Sequence, residues 1–345
     1  MSNGWTFFSL FCLLSFCSCD FDYYGHLVAG QSKIILERTS VADIIALETT
    51  SNSLRTQFEL VGSILSFAKD LGLNTGDSYQ TFYDTEGEPI SWNISASPAD
   101  SFSPYSWQFP IVGALPYKGF FSKPRAEKAY QQLVEEGFDA ILRPVSAYST
   151  LGYFVDPLLS TMLNDSPDEL ADLILHELTH GTIFAEGHTD YNESLATFVG
   201  QKGSLLFLAY HFGPQTEHII SAQHKRTDAA KFRQFMGQVV SSLDSLYAMG
   251  LPRSEVLVKR VHIFSLAQED FRETLPNYHN ANYIFFLQWK INNARLLSYR
   301  RYHNRLDLFE AIYSRERENM SKSMAIFSIC SANDDPWKCL ESYAD

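Results

Sequence analysis

The sequence predicts an α+β fold, mostly helical, in which a small β layer lies beside a two-helix core. Three observations carry that expectation. From residue 166 onward apolar residues recur at helical spacing almost to the C-terminus, whereas between 79 and 153 the period drops to two. The third is the stretch 166–207, SPDELADLILHELTHGTIFAEGHTDYNESLATFVGQKGSLLF, which holds His176-Glu177-Leu178-Thr179-His180 and then Asn192-Glu193-Ser194.

Taken in order, the chain opens with nineteen uncharged residues whose apolar run, 5–16, is short of the roughly 20 needed to span a bilayer. It ends in Phe16-Cys17-Ser18-Cys19, which resembles the lipobox of bacterial lipoproteins. That resemblance implies a signal peptide over 1–18, lipid on Cys19 and a membrane-anchored protein facing the periplasm. Phe16 stands where Leu is usual, and no Lys or Arg precedes the run. A plain cleaved signal or an uncleaved anchor is the alternative. Asp20, just after the cysteine, implies retention at the inner membrane rather than the outer one.

Residues 23–73 read as helical, with Val41, Ile44, Ile45 and Leu47 followed by Leu60, Val61, Ile64, Leu65 and Ala68. Gly72 and the 74–77 cluster end that pattern. Alternation on either side of Asp84-Thr85-Glu86-Gly87 predicts a hairpin over 79–96. A strand follows over 107–115, a helix over 125–136 stopped by Gly137, and a strand over 140–148. The stretch 147–153 is the candidate to line a cleft and pair with extended substrate. Beyond it, 232–249, 254–272 and 281–301 each predict a helix. The expectation is a signal followed by a single domain over 19–345, with the β layer at about 79–153 and the helical part at about 166–345.

Forty acidic against 27 basic side chains give a net charge of −13, and no segment clusters Lys or Arg, which excludes a nucleic-acid partner. Cys330 and Cys339 are nine positions apart around Asp334-Asp335-Pro336. In an exported chain they can close a disulfide; two free thiols are the other reading.

The chemistry sits in 166–207. Ser166-Pro167-Asp168-Glu169 has the form of a capping box with Pro at the first helical position. Leu170, Leu173, Ile174 and Leu178 form the apolar stripe of the helix that follows. Residues four apart share a helix face, so His176 and His180 can grip one ion. Neutral imidazole is a favoured zinc donor, and a carboxylate completes a set that leaves one position for water. Glu177 is placed to take the proton from that water as it attacks a carbonyl, then to deliver it to the leaving amine.

Glu193 is the preferred third ligand: twelve residues after His180 allow a turn and a second, antiparallel helix, with Thr189 as its N-cap. Glu186 and His188 in the intervening loop compete with it. Asn192 and Thr197 are candidates to orient the ligands. An oxyanion stabiliser is also required, for which Tyr153, His279, Tyr283, Tyr302 and His303 are candidates. Asp156 and Glu186 are the nearest carboxylates able to hold a substrate amine.

These residues resemble those of the bacterial predicted zinc aminopeptidases, many of them envelope lipoproteins. The resemblance runs through Tyr23-Tyr24, Gly30-Gln31, Trp92-Asn93, Phe109-Pro110-Ile111-Val112-Gly113 and Pro116-Tyr117-Lys118-Gly119-Phe120-Phe121. It continues in Ser149-Thr150-Leu151-Gly152-Tyr153, Asp156-Pro157, Leu159-Ser160-Thr161, the two motifs of 166–207 and Asn292-Asn293-Ala294. The site is also similar to that of gluzincins, which carry H-E-x-x-H and a Glu on the following helix. That implies His176, His180 and Glu193 as ligands of one Zn2+ and Glu177 as base. The chain departs from thermolysin-like enzymes in its shorter gap and in Thr197, where they have Asp. It also lacks a G-x-M-E-N segment of the kind that binds the free amino group in other zinc aminopeptidases.

The resemblance implies a peptide substrate and an aminopeptidase activity. A zinc endopeptidase of the same chemistry is the alternative. A non-catalytic envelope lipoprotein, binding peptides around a structural zinc, is the reading from another class.

Overall fold

The computed structural model describes residues 5–110, 113–145 and 155–344, with side chains from residue 21 onward. Helix α1 (Trp5–Glu37) leads through β1 (Thr39–Ser40) into α2 (Val41–Ala46) and α3 (Asn52–Asp70). The helical reading of 23–73 therefore holds in type but covers three helices. The breaks have a local cause: Ser40 accepts from the Asp43 N–H and Ser51 from the Leu54 N–H at 3.2 Å, and each hydroxyl starts a new helix. Cys19 lies in α1, but its side chain falls outside the described residues, and with it the lipidation. No helix among the described residues is long and apolar enough to cross a membrane.

The β layer is more divided than its alternation predicts. It comprises β2 (Thr81–Tyr83), β3 (Ser91–Pro98), β4 (Trp107–Phe109), β5 (Gly113–Leu115) and β6 (Lys118–Phe120). After α4 (Lys123–Glu135) come β7 (Phe138–Val145) and β8 (Leu158–Leu159). The strands form sheets in the orders β1-β2-β8, β6-β3-β7 and β4-β5.

The predicted 79–96 hairpin does not form. The turn itself is present, with the Glu86 N–H on Asp84 Oδ1 at 2.8 Å, but β2 pairs with β1 and, in parallel, with β8. Strand β3 instead finds an antiparallel partner along its full length, from Ser91 opposite Val145 to Pro98 opposite Phe138. That register buries Ile94, Ala96 and Ala140 with Ala126 and Leu133 of α4, which the short arm of a hairpin cannot offer. The 107–115 strand is likewise two strands, folded so that Phe109 lies opposite Gly113, whose φ of +70° favours glycine. Residues 146–154 lie outside the described residues, and with them the 147–153 segment and Tyr153.

The helical half runs through α5 (Pro167–His180), α6 (Thr189–Phe212), α7 (Glu217–Tyr247) and α8 (Arg253–Thr274). It ends in α9 (Asn293–His303), α10 (Leu306–Arg315), α11 (Met320–Ser331) and α12 (Pro336–Ala344). The helix predicted over 281–301 is instead a 3-10 segment, Ala281–Gln288, followed by α9. Asn292 accepts from the Arg295 N–H at 2.9 Å and so caps a fresh helix where the periodicity runs on. Cys330 and Cys339 are joined as a disulfide, tying α11 to α12.

The largest apolar cluster joins α3, α5, α6, α10, α11 and α12; a second, aromatic one around Phe232, Phe271 and Phe286 joins α7 and α8. Asp139 of β7 holds the sheet to the helices. Its carboxylate accepts from Arg260 of α8 at 2.6 and 3.0 Å and from the Asn293 N–H, at the start of α9, at 2.8 Å. The pair is nearly buried, with side-chain exposures of 13% and 11%. Removing one charge strands the other, at a cost of about 3–5 kcal/mol. Asp139→Ala is therefore expected to lower unfolding stability by that amount in chemical denaturation, and a loss below about 1 kcal/mol would refute this account.

Candidate metal centre

The first helix of the site is fixed at its start and along its length. The Glu169 carboxylate accepts the Ser166 N–H at 3.2 Å, and Lys225 of α7 reaches Glu169 at 2.9 Å and Asp168 at 3.2 Å. Leu170, Ala171, Ile174, Leu175 and Leu178 are buried, which sets the rotation of α5. His176 and His180 lie beside that stripe, on the side facing α6. Every residue of α6 from Tyr191 to Gly200 is buried, so α6 is a central helix, and Glu193 is a carboxylate inside it at 8% exposure. A buried charge needs compensation.

Compensation comes from the two imidazoles. Glu193 Oε2 lies 3.5 Å from His176 Nε2 and 3.6 Å from His180 Nε2, and the two Nε2 atoms are 3.2 Å apart. Tetrahedral zinc with bonds of about 2.0–2.1 Å separates its ligand atoms by about 3.3 Å. The three atoms thus stand at the spacing of one face of such a tetrahedron, and they form the one group of three or more such side chains, among the described residues, able to hold an ion. Burial pushes the Glu193 carboxyl up, but hydrogen bonding to His176 and His180 outweighs it and holds the group far below the usual carboxylate range. Burial opposes a charge on His176, yet Glu193, Glu177 and Asp172 together raise it. For Glu177, burial dominates over the two histidines and raises the carboxyl, with Glu193 and Asp156 adding to the rise. The arrangement stabilises positive charge between the imidazoles and leaves Glu177 a more basic carboxylate than usual.

Close helix approach makes this spacing possible. A Cβ on Gly200 would stand 2.3 Å from Asp172 Oδ1, 2.7 Å from the Asp172 carbonyl oxygen and 3.3 Å from His176 Cβ. Asp172, one turn before His176, is itself held by Arg226 of α7 at 2.8 Å. At Gly203 the obstacle is the end of the flexible Leu175 side chain.

Of the candidate oxyanion stabilisers, the structure places Tyr302 at the cluster. Its ring stacks on His176 with centroids 6.2 Å apart, and the Glu193 charge, then burial, push its hydroxyl up, so it stays a donor. His279 is instead bonded to Asp228 at 3.0 Å and stacked on His224. Tyr283 packs in the aromatic core against Phe232, and His303 turns back onto Tyr299. None of these three has a hydrogen bond or ring contact with the cluster among the described residues.

The Asn192 side chain forms no hydrogen bond with the ligands: it accepts from the Ala185 N–H and donates to the Ala185 carbonyl, both at 2.8 Å, pinning the loop between the two helices. Thr197 is buried one turn past Glu193 without a hydrogen bond to the cluster. Glu186 is exposed in the loop. His188, rather than Thr189, precedes the first turn of α6. It lines a cavity of about 360 Å³ with Asp190, Arg300 and Arg301, and no cluster residue lines that cavity. Asp156 is buried within electrostatic reach of Glu177.

Two tyrosines were not singled out by the sequence. Tyr117, between β5 and β6, is half-buried within electrostatic reach of Glu193 and Glu177, and desolvation is the main cause of its raised hydroxyl. Tyr79, buried and within reach of Glu177, has a φ of +64°, a left-handed conformation costly for so bulky a residue. Nothing in sequence spacing marks either one. Gly200 and Gly203, three apart inside a helical pattern, are a readable sign of close packing.

A family model described as "Putative aminopeptidase" matches residues 22–331. Comparison with curated proteins and with solved structures gave no match. From the packing above, Gly200→Ala is expected to lower thermal stability more than Gly203→Ala, because backbone and Asp172 obstruct the first and a side-chain tip the second. It should also weaken divalent-cation binding by displacing His176. Equal melting temperatures for the two variants would refute the close-approach argument.

Proposed function

The chain belongs to the family described as "Putative aminopeptidase", and from that premise we propose that it is a zinc-dependent aminopeptidase. The observation that carries the metal is the 3.2–3.6 Å spacing of one carboxylate and two imidazole atoms, all nearly buried. Two nitrogens and one oxygen at tetrahedral spacing suit zinc, which supplies a Lewis acid for the peptide carbonyl and lowers the pKa of water. In this reading His176, His180 and Glu193 hold the ion.

Glu177 then acts as the proton carrier. One residue past the first ligand on α5, its carboxylate is placed to accept a proton from attacking water and return it to the leaving amine. Tyr302 and Tyr117, both kept protonated, donate to the oxygen on which negative charge develops. Asp156 supplies a buried carboxylate close to Glu177, suited to hold the free amino terminus of a peptide, which favours removal of N-terminal residues over internal cleavage. We further propose that the chain is lipid-anchored through Cys19 and works on the periplasmic side of the inner membrane.

The purified protein is expected to bind one zinc ion and to hydrolyse unblocked peptides. Glu177→Gln should abolish turnover while zinc stays bound by metal analysis. Tyr302→Phe should lower kcat by about 10²–10³. Retained activity in Glu177→Gln rules out the mechanism, and equal rates on free and N-acetylated peptides rule out the aminopeptidase assignment.

A further inference from the structure

The cavity of about 360 Å³ beside His188 lies between the last turn of α9 and the start of α6, and no residue of the metal cluster lines it. Its size falls within the range of pockets that take small organic molecules. Part of its wall is apolar, formed by Ala114, Pro116, Leu297 and Trp337. The rest is polar and comes chiefly from Arg300, Arg301 and the first residues of α6.

Arg301 is a buried charge with little to compensate it. Its side chain is 4% exposed, and its Nε stands 4.0 Å from Asp190 Oδ1, the outer limit of an ion pair, with Asp190 itself half exposed. A guanidinium carries several N–H donors, yet among the described residues this one makes a single hydrogen bond, to the Pro116 carbonyl at 3.4 Å. Pro116 and Asp190 both line the cavity, so the guanidinium stands in its wall. It is held there from two sides. Ser194 Oγ donates to the Arg301 carbonyl at 3.1 Å, and the Tyr117 ring lies 5.5 Å from the guanidinium. Arg300, half-buried, rests over the Phe102 ring at 5.6 Å and has no hydrogen bond or ion pair among the described residues. Two guanidinium groups thus share one loosely held carboxylate, in a chain where 40 acidic residues outnumber 27 basic ones.

The start of α6 adds to the same bias. His188 makes no side-chain cap, and the first helical bond runs from the Asn192 N–H to the His188 carbonyl at 3.0 Å. The N–H groups of Thr189, Asp190 and Tyr191 therefore have no acceptor within the helix, and all three residues line the cavity. This is the positive end of a long helix, next to two arginines. An anion between them supplies the compensation that Arg301 lacks. Planar guanidinium groups match a carboxylate through paired hydrogen bonds, and the apolar wall suits a ligand that carries a hydrocarbon body as well.

We propose that this cavity is a binding site for a small organic carboxylate with an apolar body, separate from the metal centre. Arg301 and Arg300 hold the carboxylate at the start of α6, and the body lies against the wall formed by Leu297 and Trp337. The site does not depend on the peptidase reading, since none of its residues is given a part in that chemistry.

Calorimetry on the full chain with three probes tests it: 4-methylpentanoate, its amide and acetate. The acid is expected to bind roughly ten- to a hundred-fold more tightly than the amide, which keeps the body and loses the charge. It should also bind at least roughly ten-fold more tightly than acetate, which keeps the charge and loses the body. Arg301→Met and Arg300→Met should each bring the acid down to the level of the amide, with folding checked by circular dichroism. Arg300 makes no hydrogen bond or ion pair among the described residues, so its variant decides the matter if Arg301→Met does not fold. Binding of the acid should persist in the presence of a metal chelator; its loss there assigns the carboxylate to the metal centre and overturns the site. Equal affinities for acid and amide, or for acid and acetate, overturn it as well. So does an affinity that survives in the folded arginine variants.

Discussion

A single carboxylate, Glu193, sits in the fully buried stretch 191–200 of α6 and is compensated by two imidazoles from the neighbouring helix. Much of the surrounding structure can be read as the means of keeping that contact. The apolar stripe of α5 fixes which way His176 and His180 point, and the glycines of α6 let the two helices approach closely enough for them to reach. The loop between the helices is pinned by Asn192, which spends both ends of its amide on Ala185. Arg226 and Lys225 of α7 hold the outward side of α5 through Asp172, Asp168 and Glu169. Each of these interactions is modest alone; together they leave α5 little freedom to rotate or slide.

Charge near the imidazoles has one sign. Glu193, Glu177 and Asp156 act on one another there, an arrangement that favours a cation between them.

Helices were legible where a local signal starts or stops them. The Ser166–Glu169 box and the Gly137 stop mark real boundaries, because capping is a short-range matter of a side chain and the backbone beside it. Long periodic stretches misled when a polar cap interrupted them without disturbing the apolar pattern, as at Ser40, Ser51 and Asn292. Strand alternation was visible, but partners were not. Nothing within 79–96 reveals that β3 pairs with a strand some fifty residues away, since pairing is decided by whichever edge offers the longest register and the best packed face.

By itself the sequence determined a mostly helical α+β class, the two helices of the centre and the His176–His180 pair, because an i, i+4 pair and a short connection constrain geometry locally. For the third partner it preferred Glu193, from connection length and from Ile183 standing where a turn toward Glu186 would need Gly, and left Glu186 and His188 as competitors. Only the tertiary structure set Tyr302 apart from His279, Tyr283 and His303, the other candidates among the described residues, and brought Tyr117 and Tyr79 within electrostatic reach of Glu177. Those contacts join residues tens to hundreds of positions apart, and their distance in space follows from how sheet and helices pack, which no spacing in the chain encodes.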